Sequence, residues 1–232
     1  MGFYHEAGIV YALAGFLKRT LPEYRVYLYG ELARFAFRRG HDYWGHRFLG
    51  WALHYVQDLT QPYHARVLPG WSTASMLWIN ILNALGFTGP RTDAIQLVSN
   101  RHLAVESYQR RLLIRLHTRG DATHPVMAAL ADVKGDSARG AYAPGHIRKK
   151  LTREAADQAE PLDAVILKAL PKRMVDDPSF ELSESPEEKQ ILEKVAAGGK
   201  GKELDRALAR LLGAFGGQSR IFARSVLAER KK

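Results

Sequence analysis

The sequence predicts an all-α protein built as a bundle of several helices. Three observations support this class. Apolar residues recur at helical spacing through most of the chain, and glycines and prolines stand where those segments stop. No alternating apolar and polar run is bounded by hairpin turn residues. With 232 residues, 46% of them hydrophobic, the chain is long enough to bury a core.

Five helices are predicted in the first half of the chain, each followed by a residue that ends it. They cover residues 8–21, 22–39, 41–60, 73–85 and 93–118. Pro22 suits the first turn of the second helix, and Gly40 ends it. Asp42 is expected to cap the third helix, and Ser72 or Thr73 the fourth.

The second half of the chain carries more glycine and is expected to be less regular. Residues 133–146 are predicted to form a glycine-rich loop. Residues 171–187, which are rich in proline, serine and acids, are predicted to be a linker. Beyond them, residues 198–201 and the pair Gly216-Gly217 are expected to divide the remaining chain into short helices.

An apolar run at residues 74–87 calls for a separate prediction. It is about fourteen residues long, whereas a membrane-spanning helix needs roughly 20. We therefore predict a core helix, with a lipid-touching surface flap that carries Trp78 as the alternative.

Composition limits the chemistry that the chain can carry out. The absence of cysteine excludes disulfides, thiolate metal sites and cysteine nucleophiles, so a metal would need His, carboxylate, backbone or water ligands. The 34 Lys and Arg residues outnumber the 24 Asp and Glu residues, which gives a formal net charge of +10. Such a charge attracts anionic partners, either phospholipid surfaces or nucleic acid.

Two predicted helices each carry a His followed four residues later by a carboxylate. These pairs are His54…Asp58 and His102…Glu106, and residues four apart lie on one helix face. His64 follows Pro62, which breaks the helix and turns the chain back toward the first pair. Zinc favours this mixture of imidazole nitrogen and carboxylate oxygen.

The spacing of the pairs is weak evidence when taken alone. A third pair, His117…Asp121, straddles Gly120 at a helix end and is interpreted as accidental. For the other two pairs, a surface ion pair or a capped core histidine is the alternative to a metal site.

The local sequence strengthens the metal hypothesis. Residues 54–65 read HYVQDLTQPYHA and resemble the H-Y-x-x-D-x-x-Q-P-x-H-A signature of the zinc-dependent phospholipase C family. Residues 102–106 resemble the second helical His-x-x-x-Glu motif of that family. The S1/P1-type single-strand nucleases share the fold and a close variant of the first motif. The resemblance covers roughly residues 1–120.

The resemblance implies a helical bundle with a metal site between helices, where zinc ions and a bridging hydroxide attack a phosphodiester. It implies six zinc ligands, namely His5, His54, Asp58, His64, His102 and Glu106. The first three would share one zinc, and Asp58 would also bridge to a neighbouring ion and act in catalysis. The last three would hold a second zinc.

The chain departs from the family pattern at its start. The N-terminal Trp of the family, a nearby His and an upstream Asp have no match, so the N-terminal part of the usual domain is expected to be missing. Two zinc ions are therefore expected, while the ligands of a third lack counterparts. Residues 1–170 are predicted to form the incomplete phospholipase C-like domain, and residues 171–232 a linker with short helices.

The predicted function is hydrolysis of phospholipids by a metal-activated hydroxide, with a phospholipid or membrane surface as partner. A single-strand nuclease that acts on nucleic acid and a non-catalytic helical homologue are the alternatives. No obligate protein partner is evident. Family members are mostly exported, although no signal peptide is visible in this chain.

Side chains around the motifs suggest how a substrate could be held. Tyr55, Tyr63 and Trp51 would line a choline or acyl site if they are not core residues. Four arginines of the second motif helix are expected on a solvated face, with steering of an anionic substrate as the alternative. These are Arg101, Arg110, Arg111 and Arg115.

Overall fold

The computed structural model describes residues 1–183 and 185–231, and all regular structure in that part of the chain is helical. This confirms the all-α class. The α-helices described run, in chain order, Gly8–Leu13 (α1), Leu21–Arg38 (α2), Asp42–Asp58 (α3), Pro62–Ala65 (α4), Thr73–Ala84 (α5), Gly89–Arg119 (α6), Pro125–Ala131 (α7), Asp136–Arg139 (α8), Thr152–Asp157 (α9), Ala159–Ala169 (α10), Lys172–Val175 (α11), Pro186–Lys189 (α12), Ile191–Ala197 (α13) and Gly201–Leu227 (α14). Short 3₁₀ turns lie at Gly15–Lys18 and Ala228–Lys231, and a π-turn at Ile147–Leu151.

Packing divides the chain into two compact units, each assembled from separate stretches of sequence. The first unit contains Met1–Val67, Leu130–Gln158 and the residues from Leu211 onward. The second contains Leu68–Ala129 and Ala159–Arg210. The predicted division into residues 1–170 and 171–232 concerns likeness to a family domain and stays a prediction.

The first unit is built on an apolar core between α2, α3 and the end of α14. Its buried members include Val26 and Phe37 of α2, Val56 of α3 and Phe222 of α14. On α3 the buried positions recur every three or four residues and form one stripe; they are Gly45, Leu49, Ala52 and Val56. The opposite face of α3 therefore points away from the core.

The second unit is arranged around α6, a helix of 31 residues that contacts α5, α10, α11 and α13. The buried face of α6 includes apolar residues such as Leu112 and Leu116. It also includes polar residues, among them Asn100, Arg101 and Ser107. Buried polar groups need partners, and α6 is consequently held by hydrogen bonds as well as by apolar contacts.

Helix boundaries in the first half follow the sequence closely, with three corrections. Ser72 caps α5 as predicted, since its Oγ accepts a hydrogen bond from the amide of Ser75 at 3.1 Å. Asp42 is not a cap: it opens α3, and its carboxylate accepts from Arg230 instead. The predicted helix 8–21 is interrupted at Ala14, and the predicted helix 93–118 begins earlier because Pro90 fits its first turn.

The predicted break at Gly216-Gly217 is wrong, because α14 runs unbroken for 27 residues. Glycine costs a helix interior about 1 kcal/mol relative to alanine. Here the missing side chain allows close packing, since a Cβ on Gly216 would lie 3.0 Å from the carbonyl oxygen of Leu130. A Cβ on Gly217 would meet Arg139 at 3.1 Å.

Two segments predicted to be irregular carry more structure than expected. Residues 171–187 contain α11 and bury Met174, Val175 and Leu182, so this segment packs in the second unit and is not a solvated linker. The loop at residues 133–146 contains the single turn of α8, in which Asp136 is buried.

The apolar run at residues 74–87 is not a core helix. Within α5 only Met76 is buried, whereas Trp78 is 60% exposed and Leu85, just after the helix, is 69% exposed. Among the described residues, no helix combines the length and the apolar character needed to cross a bilayer.

Candidate metal centre

His54 and Asp58 lie on the outward face of α3, opposite its buried stripe. The Nε2 atom of His54 is 3.7 Å from Oδ2 of Asp58, and the two side chains are 68% and 38% exposed. Two ligands that each bind a tetrahedral zinc at roughly 2.1 Å are about 3.4 Å apart. The pair is therefore already close to the separation that a shared zinc ion would impose.

His64 is oriented by the end of the same helix. Because α3 ends at Asp58 and Pro62 opens the short helix α4, the ring of His64 turns back, and its Nδ1 lies 2.8 Å from the carbonyl oxygen of Asp58. A carbonyl only accepts hydrogen bonds, so Nδ1 must carry the proton. In the neutral ring the lone pair is then on Nε2, which is the tautomer of a metal-binding histidine whose other nitrogen is fixed by a carbonyl.

His5 lies in an N-terminal segment that packs along α4. The amide of Gly2 donates to the carbonyl of His64 at 2.7 Å, and the buried carboxylate of Glu6 accepts from the amide of Val67 at 2.9 Å. The ring of His5 itself contacts Thr152, with Nε2 3.0 Å from the hydroxyl oxygen. The structure thus brings the segment of His5 beside His64 but turns its imidazole toward Thr152.

The environment of His5 favours the neutral ring. Partial burial lowers its pKa below the usual value; Arg153 and Arg66 lower it further, and Asp157 opposes them. A neutral imidazole is the form that binds a metal.

His102 and Glu106 form a hydrogen-bonded pair on α6. The Nε2 atom of His102 lies 2.9 Å from Oε1 of Glu106, a hydrogen bond, with side-chain exposures of 24% and 46%. The pair borders a surface depression of about 510 Å³, which also has Glu181 and Ser183 in its wall. A zinc ion between these two ligand atoms would have to widen their separation by about 0.5 Å.

The residue before His102 holds this stretch of α6 in place. Arg101 is buried, its Nε donates to the carbonyl of Val175 at 2.8 Å, and its Nη1 lies 3.1 Å from the carboxylate of Asp163. Its guanidinium also lies 4.7 Å from the ring centre of Trp71. The prediction that Arg101 lies on a solvated face is therefore wrong.

The three following arginines on α6 are engaged by acidic residues of the same unit. Arg110 and Arg111 contact Glu188 at 3.3 and 3.2 Å, and Arg115 contacts Glu193 at 2.8 Å. Glu188 is buried, and it also accepts from the hydroxyl of Ser107. These arginines serve packing and ion pairing within the second unit.

Within a single unit, the predicted ligands meet in pairs. Inside either unit, as far as the chain is described, no three His, Asp or Glu residues bring one ligand atom each within 4.8 Å of one another. The first unit holds His54 with Asp58 and fixes the ring of His64, and the second holds His102 with Glu106.

An aromatic depression adjoins His54. A surface hollow of about 270 Å³ is lined by Tyr29, Trp51, His54 and Tyr55. Tyr29 stacks on Tyr55, with centroids 6.1 Å apart, and meets the edge of Trp51 at 5.3 Å. Tyr63 is buried and takes no part in this hollow.

Sequence reasoning missed Tyr29 and Glu181. Tyr29 lies on α2, outside the motif, and only the packing of α2 on α3 brings it to Trp51 and Tyr55. Glu181 lies in the segment interpreted as a linker, where an acidic residue gave no indication of a neighbouring histidine.

No protein-family model, no curated protein and no solved structure was found to match this chain. The resemblance to the zinc-dependent phospholipase C family therefore rests on the two sequence motifs.

Proposed function

We propose that this chain is a zinc-dependent phosphoric diester hydrolase of the phospholipase C type, acting on phospholipids. One observation carries the proposal. In the twelve-residue motif at residues 54–65, the carbonyl of Asp58 fixes the tautomer of His64. His54 and Asp58 form a pair on α3 whose ligand atoms are 3.7 Å apart, which we call an open pair because it is too wide for a hydrogen bond. A surface ion pair would explain the pair but gives no reason for the fixed ring of His64.

The donor set suits zinc. Neutral imidazole nitrogens and carboxylate oxygens are ligands of zinc sites that lack cysteine, and the chain has no cysteine. Bound zinc would lower the pKa of a coordinated water far below that of bulk water, to about 7, and neutralise charge on the phosphoryl oxygens. Asp58 has two carboxylate oxygens, so it would bind the same zinc as His54 through one of them and could hold a neighbouring ion or accept a proton from the attacking water through the other.

The motif assigns the first three predicted ligands in chain order to one zinc and the last three to a second. This assignment rests on the family pattern. Of the six, His5 has the weakest support because its Nε2 faces Thr152. We therefore expect His54 and Asp58 to dominate the affinity of the first ion.

The aromatic hollow beside His54 supports a substrate with a quaternary ammonium group. Aromatic faces attract such cations, and Tyr29, Trp51 and Tyr55 present three rings next to a predicted zinc ligand. Phosphatidylcholine carries this group on the choline side of its phosphate, which stays with the phosphoryl product when the bond to diacylglycerol breaks. The substrate we propose is accordingly a choline phospholipid.

A single-strand nuclease is the second candidate. The same aromatic rings would stack nucleobases, and the formal net charge of +10 favours a polyanion. Both candidates use the same metal ligands, so substrate assays must separate them.

The test combines elemental analysis with hydrolysis assays. We expect two zinc ions per chain, with Asp58→Asn losing one ion and at least about 100-fold of chelator-sensitive phosphatidylcholine hydrolysis. The matched control is His117→Ala, which removes a histidine of the same i, i+4 spacing outside the motif and should keep both ions and full activity.

Three results would contradict the proposal. Chelator-sensitive hydrolysis of single-stranded DNA alone would establish the nuclease. Zinc without hydrolysis of either substrate would favour a non-catalytic homologue. Loss of zinc in His117→Ala but not in Asp58→Asn would place the metal elsewhere.

A further inference from the structure

The second unit contains a long stretch of chain without any charged side chain. Residues 68–90 include no Asp, Glu, Lys, Arg or His, and Arg66 and Arg91 stand on either side of the stretch. The rest of the chain is rich in charge, since 25% of all residues are charged. This stretch contains α5 and the turn that follows it.

Large apolar side chains on one face of this stretch are exposed to solvent. Trp78, Ile81 and Leu85 follow one another at spacings of three and four residues, so they form a single stripe. They are 60%, 51% and 69% exposed, and Phe87 beyond them is 63% exposed. Met76, on the opposite side of α5, is the buried anchor. We call these four exposed residues the apolar face.

The backbone holds the apolar face rigidly at both ends. Ser72 caps the start of α5, and Gly86 ends it with a positive φ of 94°. The amide of Phe87 donates to the carbonyl of Leu82 at 2.9 Å, and that of Gly86 to Asn83 at 3.1 Å, the two bonds of a Schellman motif. Phe87 is thus fixed beside the helix end and does not belong to a loose loop.

A face of this kind indicates a binding partner, because large apolar side chains rarely form an exposed cluster on a monomeric protein. The net charge of the chain favours one of the two simplest binding partners over the other. A second copy of the chain carries the same net charge of +10 and would be repelled. An anionic lipid surface attracts that charge and offers an apolar layer below its head groups.

We propose that the apolar face is a membrane-docking surface that inserts into the interfacial layer of an anionic phospholipid bilayer. Trp78 would lie at the head-group level, where tryptophan is favoured, while Ile81, Leu85 and Phe87 enter the acyl boundary. Arg91, which directly follows the uncharged stretch and is exposed, suits the anionic head groups. The choice of a phospholipid bilayer rests on the proposed function, whereas the docking itself can be measured without catalysis.

The test is co-sedimentation of the full chain with vesicles of phosphatidylcholine alone and of phosphatidylcholine mixed with phosphatidylglycerol. The variant Ile81→Ser/Leu85→Ser/Phe87→Ser removes three apolar side chains and keeps Trp78 as a fluorescent reporter. The matched control Leu13→Ser/Phe16→Ser/Ile114→Ser removes the same three residue types at positions that are 67%, 71% and 60% exposed elsewhere. Circular dichroism verifies that both variants are folded.

We expect the unmodified chain and the control to bind the anionic vesicles alike, and the apolar-face variant to bind at least about tenfold more weakly. Brominated lipids should quench fluorescence in the unmodified chain, and Trp78→Phe should abolish most of that quenching. Absence of vesicle binding by the unmodified chain, or equal loss in both triple variants, would refute the proposal. A loss of self-association without a loss of vesicle binding would identify a second copy as the occupant and also refute it.

A water-soluble choline phosphodiester separates this proposal from the proposed function. If docking alone is correct, vesicles still bind although neither the lipid nor the soluble ester is hydrolysed. If both are correct, the apolar-face variant hydrolyses the soluble ester normally and vesicle phosphatidylcholine poorly.

Discussion

The two predicted halves of the metal centre stand on helices that are held in physically different ways. Helix α3, which carries His54 and Asp58, packs through a stripe of apolar residues into the core of the first unit. Helix α6, which carries His102 and Glu106, also buries apolar residues, but it is anchored in addition by buried polar groups, above all Arg101. Similar i, i+4 pairs thus lie on a helix packed by apolar contacts in one unit and on a helix with additional buried polar contacts in the other. We call the first arrangement the apolar platform and the second the polar platform.

The difference bears on how each pair responds to its surroundings. Apolar packing depends little on pH or salt, so the helix that carries His54 and Asp58 should keep its position in the core over a wide range of conditions. Buried ion pairs and charge-assisted hydrogen bonds lose strength when a carboxylate is protonated. The packing of α6 should therefore be the part that acid weakens first.

The largest expected loss of folding stability comes from replacing Arg101, which anchors α6. Arg101→Met leaves the buried carboxylate of Asp163 without the guanidinium it faces, and breaking a buried pair costs about 3–5 kcal/mol. Urea unfolding at pH 7 would measure this loss. The double variant Arg101→Met/Asp163→Leu should recover much of the stability, and a double variant as unstable as the single one would mean that shape and not charge holds α6.

A smaller loss of folding stability is expected for a substitution in the apolar platform of α3. Val56→Ala removes two buried methyl groups from the stripe of α3, which costs about 2 kcal/mol including the cavity. Because no charge is involved, the loss should be the same at pH 5 and pH 8. The exposed control Val133→Ala should change the urea midpoint little, and a strongly pH-dependent loss for Val56→Ala would contradict the distinction between the platforms.

The smallest expected change in folding stability concerns the polar platform of α6 and depends on pH. The pKa of Glu188 lies below its usual value because Ser107 donates a hydrogen bond to it and Arg111 and Arg110 add to the effect, although burial acts the other way. Its stabilising contribution is therefore complete above the unfolded-state pKa of about 4.3 and disappears as the pH falls through the lower native value.

Glu188→Gln should accordingly lower the free energy of unfolding by about 1–2 kcal/mol at pH 7 and by much less near pH 3. The comparison is made by urea unfolding across this pH range. Glu193→Gln removes a more exposed carboxylate paired with Arg115 and should have little effect at any pH. A constant difference between Glu188→Gln and the unmodified chain from pH 7 to pH 3 would show that the ionised carboxylate is not what stabilises α6.

Much of the local structure could be predicted from the sequence, because helix ends depend on neighbouring residues. Ser72 has a side-chain oxygen that its own helix start can use, and a proline placed as Pro22 or Pro62 fits the first turn of a helix. The two His–carboxylate pairs followed from helical spacing for the same reason.

The predictions from sequence that were wrong share a different physical cause. Gly216 suggested a break, but the close approach of Leu130 from a distant part of the chain makes a small residue useful inside a helix. Arg101 was placed with its basic neighbours on a solvated face, yet Asp163 and the carbonyl of Val175 supply partners that no local pattern reveals.

By itself the sequence determined the helical class, the main helix boundaries and the motif that places His54, Asp58 and His64 within eleven residues. These depend on interactions within one or two helical turns, which the order of residues specifies directly. Only the tertiary structure decided that α3 packs through apolar contacts, that α6 adds buried polar contacts to its apolar ones, and that α5 presents Trp78 to solvent. The reason is that burial depends on which distant segments pack against a helix, and an apolar run has the same local sequence whether a neighbour covers it or not.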